Sequence, residues 1–172
     1  MSTTSLVLTI LGQDRPGLVE AIAETVAAHQ GNWVESRMAH LAGQFAGVLR
    51  VEVDAERSDA LLAALGKLQE TGLESVVAAE SAPAAADPRP TVQLDLIGQD
   101  RPGIVREVSR VLAAHGVNVE ELQTECATAP NSGQALFKAA AQLRLPSAEA
   151  AEALREALEK VAADMMVEVI IE

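Results

Sequence analysis

The 172-residue sequence has one cysteine, no tyrosine, one tryptophan and two phenylalanines. A lone thiol, Cys126, excludes an intrachain disulfide and any CxxC metal or redox pair. With so few rings, a core has to be aliphatic, and the 49% of apolar residues are mostly Ala, Val and Leu. No apolar run approaches the roughly 20 residues that a membrane helix needs. The opening MSTTSLVLTILGQDRPG has no basic segment, and its apolar run is too short for a signal peptide. Positive charge is also scarce, with 13 Lys and Arg against 25 Asp and Glu, a formal charge of −12. Residues 1–82 carry 11 acidic and 5 basic side chains, and residues 83–172 carry 14 and 8. The acidity is spread evenly and opposes direct contact with nucleic acid or an anionic membrane. The expectation is a soluble protein of a reducing compartment, the cytoplasm.

What the sequence does have is a repeat. Residues 12–36, GQDRPGLVEAIAETVAAHQGNWVES, match residues 98–122, GQDRPGIVREVSRVLAAHGVNVEEL, at a constant offset of 86 with 12 of 25 pairs identical. The stretch AESAPAAADPRP between them holds three prolines and no apolar periodicity, which suits an extended linker. The chain therefore divides into a first domain over 1–80, a linker over 81–90 and a second domain over 91–172.

Each half has the same predicted order. SLVLTIL and TVQLDLI read as strands. After GQDRPG comes a helix, with Leu18, Ile22 and Val26, or Ile104, Val108 and Leu112, on its buried face. It stops near Gly31 or Gly116, residues suited to a left-handed cap. WVESRMAHL and QFAGVLRVEV flank Ala42-Gly43, and NVEELQTECA and QALFKAAAQLRL flank the longer TAPNSG, so both pairs read as hairpins. A second helix starts after a Ser58 or Ser147 cap. Its buried face carries Leu61, Leu65 and Leu68, or Leu154, Leu158 and Val161. Gly72 ends the first of these helices, and short strands follow at 74–79 and 165–171. The order β-α-β-β-α-β, twice, predicts an α+β protein of two ferredoxin-like domains. Each has two helices on one face of a four-stranded antiparallel sheet.

The recurring loop is the candidate site. A strand ends at Leu11 or Ile97, the chain turns on a glycine, and Pro16 or Pro102 opens the helix. Asp14 and Asp100 stand where a carboxylate can cap free amides. Gly17 and Gly103 remove the Cβ that would keep a ligand off the backbone. The product is a helix N-terminus suited to a small anion such as a carboxylate. Turn formation alone explains the glycines and prolines but not the recurrence of Arg15 and Arg101. His29 and His115 at the helix ends complement the helix dipole, and Glu35 and Glu121 read as solvent-facing. Spacing of three histidines and one cysteine makes no metal site. No GxGxxG, no GxxxxGKS/T and no nucleophile–base set is present, so neither a cofactor nor a catalytic residue is expected.

Asp14-Arg15-Pro16-Gly17-Leu18 with Asn32, and Asp100-Arg101-Pro102-Gly103-Ile104 with Asn118, resemble the signature of the ACT domain, a regulatory βαββαβ module that binds amino acids. The resemblance covers nearly all of the chain outside the linker. It implies that effectors bind between paired domains, touching the first loop of one domain and strand or loop residues of its neighbour. By position, the backbone at Gly17-Leu18 or Gly103-Ile104 meets the ligand carboxylate. Asn32 or Asn118 holds polar groups, and Asp14 or Asp100 caps the helix or faces the ammonium. The tandem form without an enzyme domain is similar to ACT repressors of the glycine cleavage system, which act on a LysR-type activator with an amino acid, glycine or one like it, as effector. Trp33 against Val119, and the insertion Pro130 to Gly133, make the two sites unequal. An interaction module that no longer binds ligand and a small enzyme using a groove remain as alternatives. Tandem copies satisfy domain pairing within one chain, and an uncovered sheet edge favours a homodimer.

Overall fold

The structure, a computed structural model, describes residues 2–80, 87–129 and 133–172. The chain forms two compact units, Met1–Ala85 and Ala86–Glu172. In the first, β1 (Thr3–Gln13), α1 (Leu18–Ala28), β2 (Asn32–Leu41), β3 (Gln44–Asp54), α2 (Ala55–Lys67) and β4 (Leu73–Glu80) follow in order. In the second, β5 (Thr91–Gln99), α3 (Ile104–Ala114), β6 (Asn118–Thr128), β7 (Ala135–Arg144), α4 (Ala150–Met165) and β8 (Val167–Ile171) repeat it. The sheets run β2-β3-β1-β4 and β6-β7-β5-β8, antiparallel throughout. This is the expected ferredoxin-like arrangement in both halves.

Alternation along β1 sends Leu6, Leu8 and Ile10 to the helix side, where they meet Leu49, Val51 and Val53 of β3. Ile22 and Val26 of α1 and Leu61 and Leu65 of α2 close the first core, with Trp33, Met38 and Phe45 packed against it. In the second unit Leu154, Leu158 and Ala162 mark the buried face of α4, so Ala162 takes the place expected for Val161. Both β2 and β6 carry a bulge at the same point, between Trp33 and Glu35 and between Val119 and Glu121. Opposite the helices, the second sheet mixes polar side chains, with Lys138 reaching Glu125 across strands at 3.3 Å, and the exposed Ile97 and Ile170. The first sheet leaves Leu11, Val48 and Val76 exposed.

Several helix ends differ from expectation. The left-handed residue after α1 is Gln30, at φ 58°, in register with Gly116 at 65°. Gly31 is glycine for a different reason, since a Cβ there would stand 2.9 Å from Val26 Cγ1 and 3.1 Å from Val51 Cγ1. The two turns therefore share one geometry, with a non-glycine residue bearing the strain in the first. Ser58 lies inside α2, which starts after Asp54, and α4 starts after Glu149, so neither Ser58 nor Ser147 is an N-cap. Ser147 instead hydrogen-bonds Glu149 and holds its carboxyl below the usual range. Gly72 ends the helical segment as expected, at φ 82° after the 3-10 turn Leu68–Thr71. Met165 closes α4 and Met166, at φ 53°, forms its left-handed end, so the last strand begins only at Val167.

Of the expected linker, residues 81–86 lie outside the described residues. Residues 87–90 are tied to the second unit. Arg144 donates from Nη1 to the carbonyls of Asp87 and Arg89, and Leu145 N–H donates to Pro90 O. The residues 130–132 of the predicted TAPNSG loop also lie outside the described set. Hydrogen bonds from the Arg89 side chain and backbone, with Arg144 nearby, lower the Asp87 carboxyl from 3.8 to about 2.

Two outcomes follow from these contacts. Gln30→Gly removes a left-handed strain of roughly 1 kcal/mol and raises the urea midpoint, whereas Gly116→Gln lowers it by a similar amount. Equal and opposite shifts in denaturation midpoints check the shared geometry. Because folding depresses the Asp87 pKa, its stabilisation is present above the ordinary carboxylate range and is lost as pH falls from about 4 toward 2. Urea titrations across that window should show a shallower loss for Asp87→Asn than for the parent chain.

Candidate functional site

The two GQDRPG loops fold alike. β1 and β5 do not end at Leu11 and Ile97 but run on to Gln13 and Gln99. Gly12 and Gly98 therefore do not turn the chain. A Cβ at Gly12 would stand 2.8 Å from the Gly72 carbonyl, and one at Gly98 would stand 2.8 Å from Val167 Cα. These glycines let the neighbouring strand approach. Asp14 N–H donates to Gly43 O at 2.9 Å and Asp100 N–H to Ala135 O at 3.0 Å, which ties each loop to the adjacent strand end.

The turn itself is made by Gly17 and Gly103, at φ 89° and 97°. An L side chain strains that backbone. Pro16 and Pro102 lie before these N-caps, outside the helices, not in the first helical turn. Among the described residues, no side chain makes a capping bond at either N-terminus. The first amides of α1 and α3, which have no helical acceptor, are left to solvent or a ligand. A Cβ at Gly103 would meet nothing within 4 Å, and at Gly17 only Glu20 Oε2 at 3.9 Å. The space over these amides is open.

The expected cap by Asp14 and Asp100 is not formed, because each carboxylate turns toward the neighbouring strand. Asp14 Oδ2 lies 3.6 Å from His40 Nε2, and that nitrogen accepts a hydrogen bond from Gly43 N–H at 3.3 Å. Asp100 faces Cys126 at the matching position. Partial loss of hydration, and then the Asp100 carboxylate, push that thiol above its usual pKa. Cys126 is thus a protonated, weakly nucleophilic thiol at neutral pH. The offset of 86 aligns His40 with Cys126, a signal available in the sequence that points to the Asp14 and Asp100 partners.

Arg15 and Arg101 both reach across to the end of the second helix of their unit. Arg15 Nη2 donates to Thr71 O at 2.6 Å. Arg101 Nη2 donates to Gln99 Oε1 at 3.4 Å and approaches Met166 Sδ at 3.6 Å. These contacts brace the loop against the segment before β4 or β8. Leu18 and Ile104 bury their side chains, so only their backbones face the open space. His29 and His115 donate from Nδ1 to Thr25 O and Val111 O, both at 2.8 Å, at the helix C-termini.

Asn32 and Asn118 do not join their own loops. Asn32 pairs with Glu52, beside Ser5, whereas the loop leaves β1 at Gln13. That places the asparagine at the opposite end of β1 from the loop, about 26 Å along the strand direction from Gln13. Asn118 donates to Glu120 Oε1 at 2.8 Å, and Glu120 also pairs with Arg144 at 3.0 Å. No cluster of three or more His, Cys, Asp or Glu able to hold a metal occurs among the described residues. Nor, among them, is any helix long and apolar enough to cross a membrane.

This architecture has known counterparts. An unknown protein from Galdieria sulphuraria superposes with a TM-score of 0.84 at 31% identity, covering 99% of this chain and 98% of that one. A protein provisionally assigned as a glycine cleavage system transcriptional repressor gives 0.72 at 19% identity, covering 100% and 98%, and shares the fold. No curated protein matches the sequence. Two family models, both described as the ACT domain, match residues 4–78 and 92–163. Loop, sheet order and family models agree, and the chain belongs to the ACT-domain family, in two tandem copies.

Proposed function

We propose that the protein senses a small amino acid and passes its presence to a protein partner. The observation that carries this reading is the pair of uncapped helix N-termini, each behind a left-handed glycine with open space above it. Such a terminus presents donors and a positive dipole end to a carboxylate. The contacts that hold Asp14 and Arg15 to their own unit position the loop and leave its amides unblocked.

The distance between each asparagine and its own loop bears on how an effector is held. A ligand touching both needs the loop of one ACT domain and the asparagine of another. Its binding is then linked to domain pairing, which is what a regulator requires. The formal charge of −12 supports a protein target over nucleic acid. A transcriptional regulator of amino-acid metabolism, such as a LysR-type activator, fits that role. Glycine or another small amino acid fits the open space over Gly17 and Gly103. The alternative, an interaction module without a ligand, keeps the fold and predicts silence toward amino acids.

Thermal denaturation against single amino acids separates the two. At about 100 times Kd, a ligand stabilises the folded state by roughly 2.7 kcal/mol, or about 5–10 °C in Tm for a chain of this size. Gly17→Asn and Gly103→Asn, made together, keep the left-handed backbone best and set a side chain over the amides. They should remove the shift while leaving a cooperative transition. No shift with any amino acid up to millimolar concentration overturns the proposal in favour of the interaction module.

A further inference from the structure

We infer that the open face of the first sheet is the surface on which a second copy of this chain docks, the two sheets stacked about a two-fold axis that runs along the strands. Alternation puts Thr9, Leu11 and Gln13 of β1 on the side away from the helices. Pairing brings Gln44, Ala46 and Val48 of β3, and Val76 of β4, to the same side. Leu41, at the end of β2, joins them through its partner Gln44. Val76 and Leu41 are 71% and 78% exposed, and Leu11 and Val48 are nearly half exposed. Four large aliphatic side chains left in water on one face mark a surface that meets a partner. The second sheet is built differently. There Asp95 stands in place of Thr9 and Lys138 in place of Ala46, both on the central strands. Charge interrupts that face where the first is neutral.

Charge and area point to what covers this face. The row of paired residues through Thr9 ends in Arg37 on β2, and the row through Leu11 ends in Glu74 on β4. Opposite edges of the sheet thus carry opposite signs. A two-fold axis along the strands sets each row over its own copy with the strand order reversed, β2 over β4 and β3 over β1. Arg37, exposed and 3.8 Å from Glu35 in its own chain, then comes within one residue pair, about 7 Å along the strand, of the partner's Glu74. The symmetry makes that contact twice. Leu11 meets the partner's Ala46, large against small. Arg50, held by Glu35 at 3.9 Å and Glu52 at 3.7 Å, meets the partner's Val7, so like charges are not set against each other there. Four strands of up to 11 residues span roughly 19 by 36 Å, which is about 700 Å² per copy and about 1,400 Å² for the pair. That reaches the size of a stable interface, and a neutral centre with a charged rim is its usual anatomy.

Analytical ultracentrifugation of the full chain over a range of concentrations tests this. The parent chain should sediment as a dimer of two 18.0 kDa chains. Thr9→Asp and Ala46→Lys, which copy the second sheet at exposed positions, should each raise the dimer Kd at least about tenfold, because the charge is buried without a partner. Glu74→Arg sets like charges against each other and should weaken the dimer similarly, and adding Arg37→Glu should restore most of the loss. This charge-reversal pair, on two exposed edge residues, keeps the test decisive if a central variant loses its cooperative melting transition. Asp95→Asn, on the second sheet, should leave Kd unchanged. A chain that stays monomeric overturns the inference and leaves the face to a different protein. A dimer indifferent to Thr9→Asp, Ala46→Lys and Glu74→Arg overturns it in favour of pairing along a strand edge. A dimer weakened by Glu74→Arg and not restored by Arg37→Glu overturns the two-fold arrangement.

Discussion

The structure depends on one backbone constraint, the left-handed glycine that joins the first strand of each domain to its first helix. At φ 89° and 97°, Gly17 and Gly103 reverse the chain within a few residues of the strand end. The helix then starts with its amides facing outward and lies back along the sheet, with Leu18 or Ile104 already in the core. An ordinary Asp or Ser cap would satisfy those amides from within. Here the acidic residue of the loop is drawn off by His40 or Cys126, and the arginine by the end of the second helix. The polar side chains that could close the site are thus spent on holding the loop in place.

The two copies share this frame and diverge in what surrounds it. His40 and Cys126 give the loop aspartates different neighbours, one an imidazole and one a neutral thiol. Trp33 and Leu49 belong to the single core of the first unit, while the buried residues of the second fall into two clusters. The segment 87–90 adds a further difference, since the Asp87, Arg89, Glu120 and Arg144 network belongs to the second unit. Duplication supplied one frame, and substitutions on its two faces make the domains unequal.

Much of the fold was legible in the residues. Alternation in SLVLTIL and the spacing of Leu18, Ile22 and Val26 identify their elements because half-buried strands and helices need those periods. The repeat doubled every such signal. Helix ends were less legible, because the same residue type serves different constraints. Gly31 reads like a cap but is small for packing, while Gln30 bears the strain that a glycine would relieve. Gly12 reads like a turn but is a close approach between strands. At the candidate site, the glycine turn was legible from GQDRPG alone. The separation of Asn32 from its own loop was not, since it follows from strand pairing along the whole length of β1.

The bulge shared by β2 and β6 has a consequence for the exposed edge strands. By taking up one extra residue, it keeps Glu35 and Arg37, or Glu121, Gln123 and Glu125, on the side away from the helices. A slip of one residue would drive those side chains into an aliphatic interior with nothing to pair with them. The border of each sheet is therefore locked in alignment by charge, and it resists sliding.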